Sequence, residues 1–136
     1  MAQYQPLTQF IEEFEHCKNP GDWSQCVDPD GIHHYLPYVD YDDVVDRFIT
    51  AFYMNGYVVT DYVEKVRLLQ RRVNGNLEAL DFDVMSEWDV LAFMTFVIRT
   101  DRFCEGTLLE YLRNGSMLAC LRRLRDIDNN PLPLAS

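Results

Sequence analysis

The segment WDVLAFMTFVIRTD, residues 88–101, constrains the fold more than any other stretch of the chain. Its apolar residues do not keep to one stripe but surround the helix axis. A helix apolar on all sides is stable only when other elements cover it on all sides. The segment therefore predicts a central buried helix at about 87–101, entered through Ser86 with Asp89 three residues on, an N-cap pattern. It falls short of the roughly 18 apolar residues that a bilayer span needs, as does every other segment. No membrane role is expected.

Other helices follow from spacing. Leu7, Phe10, Ile11 and Phe14 predict a first helix at about 6–17, stopped by Asn19-Pro20-Gly21. In DYDDVVDRFITAFYMNG, Phe48, Ile49 and Phe52 share a face with Val44 or Val45. Asp40 is placed to cap that helix, Asp42 and Asp43 favour its positive end, and Asn55-Gly56 stops it. Asp61 and Glu64 open the next at capping-box spacing, with Tyr62, Val66 and Leu69 as its stripe. Residues 76–85 read as a short helical turn. Thr107 with Glu110, and then Ser116, read as the caps of two last helices, in which Leu118, Leu121 and Leu124 face inward.

Residues 22–39 are different. DPDG signals a turn, and the runs Cys26-Val27 and Ile32 to Tyr35 can pair across it as a small hairpin. The alternative is an irregular excursion capped by Trp23. Pro37 forbids a central strand position. The expected architecture is mainly α: five to six short helices around a central buried helix, with a small β-hairpin-like excursion at about 22–38. One globular domain is expected over 1–130, with a loose tail at 131–136 after Pro131. With 48% apolar residues, the chain can build this core without staples.

Charge narrows the partners. The net charge is −10. Residues 1–61 hold 11 acidic and 2 basic side chains, net −9; residues 62–136 hold 11 and 10, net −1. Such a surface repels nucleic acid and attracts basic protein surfaces. Carboxylates stand among tyrosines at VDYDDVVD, and tyrosine gives contact area at low entropy cost. Tyr38, Asp40, Tyr41, Asp42, Asp43 and Asp46 are the expected partner-binding residues.

RTDRFCEG, residues 99–106, offers a different chemistry. Arg99 and Arg102, with Glu105, could form the centre of a small-ligand, anion-binding or enzymatic domain. The structural reading has the arginines satisfying carbonyls at the helix end and pairing with acids of the 40–46 helix, with Phe103 turned inward. Cys17, Cys26, His33 and His34, near His16, match no standard zinc spacing, so no metal is expected. No histidine outside residues 16–34 is available to serve Cys104 as a base. No phosphate loop, dinucleotide fingerprint or HExxH is present. The expectation is a non-enzymatic protein without catalytic residues or cofactor. The N-terminus lacks a basic leader, and the four cysteines form no CxxC pair. Both features predict a cytoplasmic protein with free thiols.

Arg99, Arg102, Phe103, Glu105 and Gly106, followed by Gly115, Leu121 and Leu124, resemble the C-terminal signature of an uncharacterised family of small bacterial and phage proteins. Pro37, Tyr38 and Tyr41 resemble its Pro-Tyr-x-x-Tyr block, and Trp23 a tryptophan that precedes it. The resemblance covers about residues 23–127 and brings no activity. It implies a setting of bacterial chromosomes, prophages and mobile elements. His33-His34 and the long acidic helix depart from the pattern. Joined to the charge, this setting gives the expected function: an inhibitor of a host nucleic-acid-binding defence complex, a CRISPR effector or a restriction enzyme, acting by occluding its basic surface in the bacterial host cytoplasm.

Overall fold

Seven α-helical segments, two 3-10 turns and one two-stranded antiparallel sheet make up residues 3–24 and 37–130, the part that the computed structural model describes. The chain is mainly helical, with the expected small sheet. The tail at 131–136, the DPDG turn and the runs Cys26-Val27 and Ile32 to Tyr35 lie outside the described residues.

Helix α5 (Glu87–Thr100) is the expected central element: Val90 to Thr95, Val97 and Ile98 are all buried. Ser86 Oγ accepts from Asp89 N at 3.2 Å, as the cap pattern requires. Thr95 is polar but satisfied. Its hydroxyl donates to Leu91 O at 2.8 Å and accepts from Val59 N at 3.2 Å, which ties the segment around Val59 to the core. Helix α4 (Tyr62–Arg72) runs antiparallel beside α5. Arg72 meets Asp89 at one end (3.7 Å), and Arg99 lies over the Tyr62 ring at the other.

Helix α3 (Asp43–Met54) buries Val44, Val45, Phe48 and Phe52. Phe48 receives the rings of Phe10 and Phe14 edge-on, with centroids 5.8 and 5.4 Å away. The expected first helix is two pieces, α1 (Gln5–Thr8) and α2 (Ile11–His16). The bond from Phe10 N to Leu7 O (3.1 Å) tightens the turn between them, and Leu7, Phe10 and Ile11 are all buried. Near the end of α7 (Ser116–Asn129), Asp128 accepts from Gln3 N and Tyr4 N at 2.9 and 2.8 Å, which anchors the N-terminal segment. The ambiguous 76–85 stretch forms two 3-10 turns, Leu77–Ala79 and Phe82–Val84.

Three caps differ from their expected positions. Asp42, not Asp40, caps α3, accepting from Val44 N at 3.3 Å, because strand β2 (Tyr38–Tyr41) runs to Tyr41 and keeps Asp40 extended. Helix α6 (Thr107–Arg113) starts from Gly106 at φ 94°, and α7 from Gly115 at φ 87°. Glycine takes this left-handed turn without strain. Thr107 and Ser116 are consequently the first helical residues rather than caps. Thr107 Oγ1 donates backward to Cys104 O at 2.7 Å, and Asn114 Oδ1 accepts from Ser116 N at 2.9 Å.

Candidate protein-interaction surface

Strand β1 (Gly21–Ser24) pairs with β2 in the register Gly21–Tyr41, Asp22–Asp40, Trp23–Val39 and Ser24–Tyr38. Directly opposite residues share a face, and faces alternate along each strand. Gly21, Trp23, Val39 and Tyr41 therefore form one face, and Asp22, Ser24, Tyr38 and Asp40 the other.

The first face rests on the connection between α5 and α6, which is the RTDRFCEG segment. Val39 N donates to Glu105 Oε1 at 2.8 Å. The Tyr41 hydroxyl donates to Asp101 Oδ1 at 2.9 Å and accepts from Leu109 N at 3.1 Å. Asp101 Oδ1 also accepts from Gly106 N (3.1 Å) and Leu108 N (3.0 Å), so this one carboxylate satisfies the start of α6 and holds the sheet. Gly106 is the seat of the Trp23 indole, which a Cβ at that position would strike. From α6, Arg113 reaches back to donate to Gly21 O at 2.8 Å. Asp101, Glu105 and Gly106 thus form a clasp on the sheet.

This clasp separates the residues of the expected anion site. Glu105 turns to the sheet, while Arg102 lies over the Tyr53 ring at 5.5 Å and Arg99 over Tyr62 at 5.8 Å. Among the described residues, neither guanidinium forms an ion pair, so the expected pairing with acids of α3 is absent. Phe103, expected to turn inward, is 88% exposed. The cause is that α5 ends at Thr100, whose carbonyl accepts from both Phe103 N and Cys104 N (2.9 and 2.8 Å), and this tight turn throws the ring outward.

The second face and the first turn of α3 bring the predicted acids together. Asp40, Asp42, Asp43 and Asp46 are all exposed, as is Tyr38; Tyr41 is half-buried, with its hydroxyl in the clasp. Asp43 is partnered by Arg47 (2.8 Å), which also binds Glu13 at 2.6 Å. This pairing, chiefly the hydrogen bond from Arg47, holds the Glu13 carboxyl below the usual range. Asp42 is occupied as a cap. Asp40 and Asp46 have no cationic side chain in ion-pair range among the described residues. Asp22 accepts from Asn19 Nδ2 at 2.7 Å and lies 3.8 Å from Arg113. The sheet register sets Asp22 directly across from Asp40, an unfavourable pairing of like charges.

Burial raises the Tyr41 hydroxyl above the usual tyrosine range, and so do its hydrogen bond to Asp101 and that carboxylate's charge. Burial and Glu87, to which its hydroxyl donates, do the same for Tyr4. A tyrosine raised on folding contributes stability that is complete below its unfolded value of about 10 and is lost as pH rises beyond it. The wild-type melting temperature is therefore expected to fall between about pH 9 and pH 11. Tyr41→Phe, with no such proton to lose, should fall less steeply; an equal fall in both would remove Tyr41 as a source.

Cys120 is buried in the core, and burial pushes its thiol up. Among the described residues, no group of three histidine, cysteine or acidic side chains could hold a metal. His16 Nδ1 is 2.8 Å from Glu12 O. Cys26, His33 and His34 lie outside the described residues. Nor is any described helix long and apolar enough to cross a membrane.

The residues of the clasp lie too far apart for local pattern to reveal. Tyr41 and Asp101 are 60 positions apart, and Val39 and Glu105 are 66. No curated protein and no solved structure matches this chain. A family known only as a family of unknown function (DUF6508) matches residues 1–130. With nearly its whole length matched, the chain belongs to this family of unknown function.

Proposed function

We propose that this protein is a non-catalytic interaction domain whose acidic sheet-and-helix face docks onto a basic protein surface of the kind that holds nucleic acid. The observation that carries this reading is the exposure of Asp40 and Asp46 without cationic partners among the described residues, with Asp22 set against Asp40 across the sheet. A basic partner would relieve that repulsion. Tyr38 and Asp42 extend the contact area, and Tyr41 positions the strand. Binding would occlude the partner's surface both sterically and electrostatically.

The sharper form of the proposal is an inhibitor of a bacterial defence complex, a CRISPR effector or a restriction enzyme, encoded by a phage or mobile element. Its support is the charge distribution and the setting implied by the sequence resemblance. An anion site at Arg99, Arg102 and Glu105 has less support, because Glu105 is bonded to Val39 N and both arginines lie over tyrosines.

Affinity capture from a bacterial lysate, with wild type and an Asp40→Lys/Asp46→Lys variant of unchanged melting temperature, tests the proposal. Wild type should retain basic nucleic-acid-binding proteins at about 50 mM salt and release them as screening increases. The variant should bind the retained protein at least about tenfold more weakly, which corresponds to about 1.4 kcal/mol. Equal retention by the variant would overturn the assignment of this face.

A further inference from the structure

Between the sheet and α6 lies a cavity of about 580 Å³, whose walls include Trp23, Glu105, Gly106 and Glu110. We propose that it accepts one arginine or lysine side chain of the basic partner, held against the Trp23 indole between the carboxylates of Glu105 and Glu110. The inference rests on the reading of the protein as a domain that docks onto a basic surface, and it names the anchor of that docking.

Two carboxylates alone would make only a solvated acidic patch. The indole makes this place different. Trp23 is 51% exposed and yet held in position. Its ring lies against Gly106, where the backbone has φ +94° and no Cβ intervenes. Tryptophan is the best of the aromatic faces for a cation, and more so the further the cation is desolvated.

One of the two carboxylates is likewise set in advance. Glu105 is fixed through Oε1 by Val39 N at 2.8 Å, leaving its second oxygen for another donor. Glu110, in the first turn of α6, is exposed and forms no ion pair among the described residues. Among the described residues, the one cation on the cavity wall, Arg113, is already engaged: it donates to Gly21 O at 2.8 Å and lies 3.8 Å from Asp22. An incoming cation thus meets an indole and two carboxylates, with the resident guanidinium offset by Asp22. An anion would meet the same carboxylates and be repelled. Because Trp23 and Glu105 are held before binding, Glu110 is the only one of the three that must order on contact.

The test uses an arginine-rich peptide as the probe and a glycine-serine peptide of equal length as the control. Trp88→Phe leaves Trp23 as the only tryptophan, since the chain has two. Binding of the arginine-rich peptide to this variant should change Trp23 fluorescence saturably, and the control peptide should leave it unchanged. By anisotropy of labelled peptide, Glu110→Gln and Trp23→Leu should each weaken binding about fivefold. Asp40→Lys/Asp46→Lys should also weaken binding while leaving the Trp23 response at saturation intact. If Glu110→Gln and Trp23→Leu bind as wild type does and only the aspartate variant loses affinity, the slot is wrong and the docking face stands. If no variant changes affinity, both are wrong. A Trp23 response to the control peptide equal to that with arginine would also overturn the slot.

Discussion

Replacing Asp101 with alanine should destabilise the protein by about 3 kcal/mol. Its Oδ1 accepts from the Tyr41 hydroxyl, Gly106 N and Leu108 N. Hydrogen bonds to a charged group contribute about 1.5–3 kcal/mol each, and less in sum, because amides freed at the start of α6 can turn to water. For a domain of this size the melting temperature should drop by roughly 10 °C. Among the described residues, Arg102→Ala removes a stack on the Tyr53 ring and no ion pair, and it should cost less than about 1 kcal/mol. Thermal melts of the two variants measured side by side decide the matter. A larger loss in Arg102→Ala than in Asp101→Ala would mean that the clasp is misassigned.

The second large effect belongs to the core. Phe48 is fully buried and takes Phe10 and Phe14 edge-on, with Phe52 a further 6.5 Å neighbour. Phe48→Ala should cost roughly 3–5 kcal/mol, from lost transfer energy and the cavity left between α2 and α3. Against a total stability of about 5–15 kcal/mol, that brings the chain close to unfolding at body temperature. Phe48→Leu keeps most of the volume and should cost distinctly less. Urea denaturation midpoints give the comparison, and equal midpoints for the two variants would contradict the packing role of the ring.

Position α5 was readable because it is apolar all round, a pattern with one physical solution. Helix α3 was readable by its face, but its first turn was not. Asp40 and Asp42 are equally good caps by composition, and only pairing with β1 decides which of them is extended. That pairing is non-local, so local preference could not place it. Phe103 departs from its expected inward position for a related reason. The segment after Thr100 continues a helical pattern in composition, yet the chain turns there because Asp101 is drawn to the start of α6 and to Tyr41. The exposed acids were legible as charge. What the sequence could not convey is their division into Asp42 as a cap, Asp43 paired with Arg47, and Asp40 and Asp46 without an ion pair among the described residues. That division depends on which side chains meet in space.

The most direct test of the docking account is competition. The protein retained by wild type at low salt is purified, and its affinity for its own nucleic acid is measured with wild type or Asp40→Lys/Asp46→Lys added. The account predicts that wild type displaces the nucleic acid, more strongly at low salt than at high salt. It also predicts that the variant displaces it at least about tenfold less effectively. A stable three-way complex of partner, nucleic acid and wild-type protein, or equal displacement by the variant, would contradict it.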